Sequence, residues 1–138
     1  MKAQVQWTGA ERFLAIPESG HAVVMDGDRS GCAATPMEML LMSVGSCASV
    51  DVVSILHKAR QQIQDCEVEL EGERVNETPA RFGRIQLHFV VSGTDIGEKH
   101  VERAVRLSVE KYCSVASSLG GVEIGHSYEI RQAGKQSA

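Results

Sequence analysis

The apolar positions of this chain switch repeatedly between a two-residue period and a helical one, and the switches mark its elements. Ala3, Val5 and Trp7 alternate with Lys2, Gln4 and Gln6, the pattern of a half-buried strand. A second short strand is expected around Phe13 to Ile16. A third is expected over 21–26, ending in the turn-forming run Asp26-Gly-Asp-Arg-Ser-Gly31. Together these read as a three-stranded meander. Thr35-Pro36 then opens a helix: threonine caps free backbone N–H groups, and proline at the first helical position sacrifices no hydrogen bond. Glu38 has the spacing of a capping box and suits the positive end of the helix dipole.

From Met37 to Leu56 the only charged residues are Glu38 and Asp51. A surface helix has one apolar stripe; this one is apolar nearly all round, so it is expected to be surrounded by protein. The twelve residues between Glu38 and Asp51 are too few for a membrane span. In so small a chain, full enclosure of such a helix implies a second subunit. Beyond it, Cys66, Val68 and Leu70 alternate with Glu67, Glu69 and Glu71, and Ile85, Leu87, Phe89 and Val91 alternate with Gln86, His88 and Val90. These are two long strands joined by a hairpin loop over 74–81. A second helix follows, with Val101, Ala104, Val105, Ser108, Val109, Tyr112 and Cys113 expected on one face. Val122, Ile124, His126, Tyr128 and Ile130 mark a last strand. Strands that pair as hairpins and helices that come singly predict an α+β fold, antiparallel sheets packed on helices. The whole chain, 1–138, is expected to be one domain, with 133–138 as a frayed tail.

Composition narrows the chemistry. A net charge of −4, with lysines and arginines scattered, argues against a nucleic-acid partner. The N-terminus reads as a strand rather than a signal peptide, so the expected location is cytoplasmic, with no membrane association. Cys32, Cys47, Cys66 and Cys113 include no Cys-x-x-Cys pair, and no histidines cluster with them, so no metal is expected. Thiols in a reducing compartment stay free unless they take part in redox chemistry.

Each candidate has a bland reading beside the chemical one. Cys66 points with Val68 and Leu70 and is expected to be core packing. Cys32 sits in a loop whose sequence says little. His126 follows an apolar alternation and is expected to be a core histidine bonded to backbone or tyrosine. Cys47 lies in Gly45-Ser-Cys-Ala-Ser49, small residues within a helix of large ones, where glycine costs roughly 1 kcal/mol relative to alanine. The small residues either admit a close neighbour or leave room for a substrate. After Cys113 the helical spacing breaks, so 114–119 reads as a fresh turn whose N-terminal dipoles would favour a thiolate. Glu38 is equally a capping residue and a catalytic candidate. It lies nine residues from Cys47 on the opposite helix face, about 13.5 Å along the axis, so the two could share a site only across a dimer.

Thr35-Pro-Met-Glu-Met-Leu40, Cys47 at its spacing from Glu38, and Cys113-Ser-Val115 together resemble the OsmC/Ohr family of thiol-dependent hydroperoxide reductases. The resemblance covers almost the whole chain, and is greatest to the YhfA-like branch through Asp51-Val-Val-Ser-Ile-Leu56 and Glu110-Lys-Tyr-Cys-Ser-Val115. It implies an OsmC-like α+β fold, with antiparallel sheets around two long central helices in an intertwined homodimer. It further implies Cys47 as the peroxidatic cysteine, Cys113 as the resolving one and Glu38 as a catalytic carboxylate. A hydroperoxide would be the substrate, in oxidative stress defence, and an external dithiol the reductant, with no cofactor. Peroxidases of the family carry an arginine ahead of the Pro-x-Glu motif. Here Asp26 falls at or near that place, leaving Arg29 in the turn as the auxiliary cation. That departure keeps two alternatives in view: a binder of small apolar ligands, or a redox sensor with little turnover.

Overall fold

The computed structural model describes residues 1–132; the tail expected over 133–138 lies outside the described residues. The chain forms two compact units, Met1–Leu40 and the remainder from Leu41 onward.

The first unit is an antiparallel meander of β1 (Ala3–Gly9), β2 (Arg12–Pro17) and β3 (Val23–Asp26), in that spatial order. Trp7 pairs with Phe13 and Val5 with Ala15. The turn between β1 and β2 holds Ala10 at φ 48°, and its carbonyl accepts the Trp7 indole N–H at 2.8 Å. The unit also carries the start of helix α1 (Pro36–Lys58), where the capping box closes in both directions. The Thr35 N–H donates to Glu38 Oε1 at 2.9 Å, and the Glu38 N–H donates to Thr35 Oγ1 at 3.2 Å.

The second unit contains most of α1, then β4 (Gln62–Arg74), β5 (Phe82–Thr94), α2 (Glu98–Leu107), a π-helical turn (Ser108–Tyr112), α3 (Ser114–Ser118) and β6 (Glu123–Gln132). Its sheet has the order β4-β5-β6. β4 and β5 form the expected hairpin, with Leu70 opposite Leu87 and Cys66 opposite Val91. β6, however, runs parallel to β5, so this sheet is mixed rather than wholly antiparallel. The reason lies in the connection: the helical segments carry the chain back before it re-enters the sheet, and such a crossover delivers a parallel strand. Ile85, Leu87, Phe89 and Val91 of β5, Val44, Ala48, Val52 and Leu56 of α1, and Val101, Ala104 and Val105 of α2 form the core, all fully buried. Each of the larger of these side chains contributes about 1.5–3 kcal/mol.

Helix α1 is enclosed on one side only within a single chain. Within one chain it buries a single stripe, Val44, Ala48, Val52 and Leu56 at four-residue spacing, together with Gly45. Met42 and Val50 stay 49% and 67% exposed. At 23 residues it is also, by length and composition alone, long and apolar enough to cross a membrane, contrary to the count of twelve; in this chain its buried stripe belongs to the protein core. The helix ends with Arg60 in the left-handed region at φ 59°. The Gln61 N–H returns to Leu56 O and the Arg60 N–H to His57 O, the paired bonds of a Schellman motif.

Gly45 explains part of the small-residue cluster. A β-carbon there would sit 2.6 Å from Leu70 Cδ1 and 3.2 Å from Val68 Cγ1, so the glycine admits side chains of β4. Cys66 is half-buried, and burial, then the neighbouring Asp65 charge, pushes its thiol above its ordinary value. Among the described residues, His126 has neither a tyrosine nor a backbone partner of the kind expected. Its Nε2 lies 3.6 Å from Glu110 Oε1.

Candidate thiol site

The site begins with a local change of helical pitch. In a regular α-helix Cys113 would lie five residues and about 140° round from Ser108. The π-helical turn instead closes a bond from the Cys113 N–H to Ser108 O at 2.8 Å, bringing the two residues onto one side. It also turns Tyr112 outward, to 49% exposure, so the expected helical face ends before Tyr112 and resumes only at Cys113. Cys113 leaves the helix at φ −68°, ψ 106° and caps α3, its sulfur accepting the Ala116 N–H at 3.4 Å. The fresh turn expected after Cys113 is therefore present.

Cys113 is 2% exposed. Its thiol donates to Val44 O of α1 at 3.9 Å, and Cys47 lies near enough for its charge to act on Cys113. Cys47, one turn further along α1, is half-buried, and both thiols are free. Burial raises the Cys113 pKa above its ordinary value. The Ala116 N–H opposes that rise, the nearby Cys47 adds to it, and the Val115 N–H weakly counters it. Cys113 therefore holds its proton. Ser108, fully buried, donates from Oγ to Ala48 O at 2.6 Å, at the residue that follows Cys47.

The other predicted residues lie in the first unit. Glu38 is exposed, and its carboxyl is held below its usual value, first by the Thr35 N–H and then by the Thr35 hydroxyl, with the Arg29 charge adding to the same effect. Arg29 is exposed in the loop between β3 and α1. Asp26 is 5% exposed and organises that loop. It accepts the Asp28 N–H at 2.9 Å and the Cys32 N–H at 3.2 Å, and the Cys32 thiol lies 3.7 Å away. These bonds, led by the one from Asp28 and assisted by the charge of Arg12, keep Asp26 ionised below the ordinary range despite the opposing cost of burial. A side chain at Gly31 would collide with this carboxylate. The role of Asp26 was missed from sequence, although an aspartate opening an Asp-Gly-Asp run is the signal of such a turn. Among the described residues no group of three or more His, Cys, Asp or Glu side chains could hold a metal ion.

A three-stranded meander, a mixed sheet, and a long apolar helix whose Cys47 lies near the enclosed Cys113 define a class. The chain belongs to the OsmC-like protein family, which it matches over residues 26–127. It is 51% identical over 131 residues to Protein YhfA of Escherichia coli (strain K12), spanning 94% of this chain and 98% of that one. Among solved structures, a hypothetical protein from Aquifex aeolicus VF5 superposes with a TM-score of 0.86 at 31% identity, covering 96% of this chain and 97% of that one. An organic hydroperoxide resistance protein OsmC from Legionella pneumophila shares the fold with a TM-score of 0.70 at 16% identity, covering 94% and 96%.

Proposed function

We propose that this protein reduces organic hydroperoxides through a thiol–disulfide cycle of Cys47 and Cys113, working as a cytoplasmic homodimer. The observation that carries the reading is the placement of these two cysteines: Cys113 is enclosed against α1, where its thiol meets Val44 O less than one turn from the half-buried Cys47. The more accessible sulfur takes the substrate. Cys47 thiolate attacks the O–O bond of ROOH; an S–O bond forms, the O–O bond breaks, and the departing alkoxide takes a proton to leave as alcohol. Cys113 sulfur then attacks the Cys47 sulfenic acid, forming the S–S bond and expelling hydroxide, which the Cys113 proton converts to water. An external dithiol restores both thiols and is itself oxidised to a disulfide. The open apolar face of α1, with Met42, Val50 and a cleft of about 690 Å³ beside Val50 and Val53, supports a second copy as its cover. That copy would bring its Glu38, whose charge Arg29 attracts.

The test is mass spectrometry after stoichiometric cumene hydroperoxide, coupled to a dithiol turnover assay. A Cys47–Cys113 bridge is expected in the wild type, no turnover in Cys47→Ser, and a single slow oxidation in Cys113→Ser. A bridge between other cysteines, or none, defeats the reading. Asp26, which the resemblance puts at or near the place of the family's arginine, favours a second reading as a redox sensor with little turnover. In that case peroxide consumption stops at one equivalent per subunit however much dithiol is added.

A further inference from the structure

We infer that Ser108 is the positioning residue of the thiol pair: it pins the Cys47 helix and the Cys113 turn to each other in the register that lets the two sulfurs meet. The inference rests on the assignment of Cys47 and Cys113 as the reacting pair.

Ser108 is a hydroxyl in a fully buried position, within a stretch otherwise filled by Val101, Ala104, Val105 and Val109. A buried hydroxyl is costly unless bonded, and this one is spent on a carbonyl of another helix, Ala48 O, at 2.6 Å. Its own carbonyl accepts the Cys113 N–H at 2.8 Å. One residue thus grips α1 beside Cys47 with its side chain and grips Cys113 with its backbone.

The register follows from the pitch on each side. Val44 and Ala48 are one turn apart on α1, about 6 Å along its axis. Opposite them, the π-helical turn aligns Ser108 and Cys113. Ser108 Oγ then meets the Ala48 carbonyl, while Cys113 Sγ comes within 3.9 Å of the Val44 carbonyl. An ordinary α-turn would carry Cys113 about 140° away from the side that Ser108 presents. The extra residue of the π turn therefore has a chemical consequence, and the Ser108 hydroxyl fixes where that turn sits against Cys47.

The test measures ring closure without peroxide. Reduced wild type, Ser108→Ala, Ser108→Thr and Val101→Ala are treated with diamide, an azo oxidant that takes up the two thiol hydrogens. Formation of the Cys47–Cys113 peptide bridge is followed by mass spectrometry, alongside each protein's melting temperature. Ser108→Ala is expected to close about tenfold more slowly, the effect of losing one short buried hydrogen bond. Ser108→Thr, which keeps the hydroxyl, should stay within about twofold of wild type. Val101→Ala should lower the melting temperature yet close at the wild-type rate, because it loosens α2 without touching either grip. Equal rates in Ser108→Ala and wild type overturn the inference. So does a threonine variant as slow as the alanine variant, equal slowing in Val101→Ala, or a wild type that forms no bridge. A wild type that bridges with diamide but consumes no cumene hydroperoxide defeats the peroxidase reading, and a slow Ser108→Ala in the same experiment still supports the positioning role. The two failures are thus separable.

Discussion

Gly45 lies two residues before Cys47, and the structure lets the consequence of filling it be worked out in advance. Alanine in place of glycine within a helix gains about 1 kcal/mol from backbone entropy. Against that, the new β-carbon would stand 2.6 Å from Leu70 Cδ1, closer than packed carbons approach. The colliding atom is the end of a flexible side chain, so Leu70 can yield at the cost of strain; overpacking of this kind costs about 1–3 kcal/mol. Gly45→Ala should therefore destabilise by about 1 kcal/mol in net terms. Leu70→Ala alone should cost about 1–2.5 kcal/mol, since a fully buried leucine loses roughly 2–5 kcal/mol and Leu70 is only half-buried. In the double variant the clash with Leu70 is gone, only the milder 3.2 Å approach to Val68 Cγ1 is left, and the helical gain remains, so it should be more stable than Leu70→Ala alone. The coupling energy should come to about 1–3 kcal/mol. Urea unfolding by linear extrapolation measures all four proteins, at one protein concentration because association alters apparent stability. Additivity within about 0.5 kcal/mol would refute the packing argument.

Thr35→Ala should cost about 1 kcal/mol in the same assay by removing one half of the capping box, and an unchanged midpoint would mean the box contributes nothing. Arg60→Gly should stabilise by up to about 1 kcal/mol, because Arg60 occupies the left-handed residue of the Schellman motif at φ 59°, which glycine adopts freely; lower stability would count against that origin. Cys113 has its pKa raised above the ordinary thiol value of 9.0 by burial and by Cys47, so the folded state keeps this proton longer than the unfolded chain. Its contribution is complete below the unfolded value and is lost as pH rises through the folded one. Stability should fall with pH above about 9 in the wild type and fall less in Cys113→Ala; parallel profiles would sink the claim.

Much of the fold was legible because the burial pattern of each element is written in its own period. The alternation at Val68, Leu70, Leu87 and Phe89 located the central hairpin, and Thr35-Pro36 with Glu38 located the start of α1 to the residue. Three features were not legible. The parallel pairing of β6 depends on where α2 and α3 deliver the chain, and no alternation distinguishes a parallel partner from an antiparallel one. The π-helical turn left Tyr112 on the expected apolar face because a regular 100° step was carried through Ser108; an inserted residue of pitch has no compositional mark. The apolar circumference of α1 did indicate a helix with little polar surface. It could not separate the stripe that this chain buries, Val44 to Leu56, from the face that it leaves open. Of the site, Cys47 and Cys113 came from the resemblance and their small or helix-breaking surroundings, whereas Ser108 was placed as one core position among several.

The order of steps in the proposed cycle follows from what surrounds Cys113. Burial is the largest influence on its thiol and disfavours ionisation, and a charged Cys47 disfavours it further. While Cys47 is the thiolate, a second thiolate at Cys113 is therefore suppressed, and the substrate meets a single nucleophile. Conversion of Cys47 to a neutral sulfenic acid removes that repulsion, while the Ala116 and Val115 N–H groups go on favouring the Cys113 anion. Ionisation of Cys113 thus becomes easier only after the first step has occurred, when its sulfur is needed. Such timing operates only while the two sulfurs stay close. That separation in turn depends on the turn of chain between Ser108 and Cys113 being wound one residue wider than its neighbours.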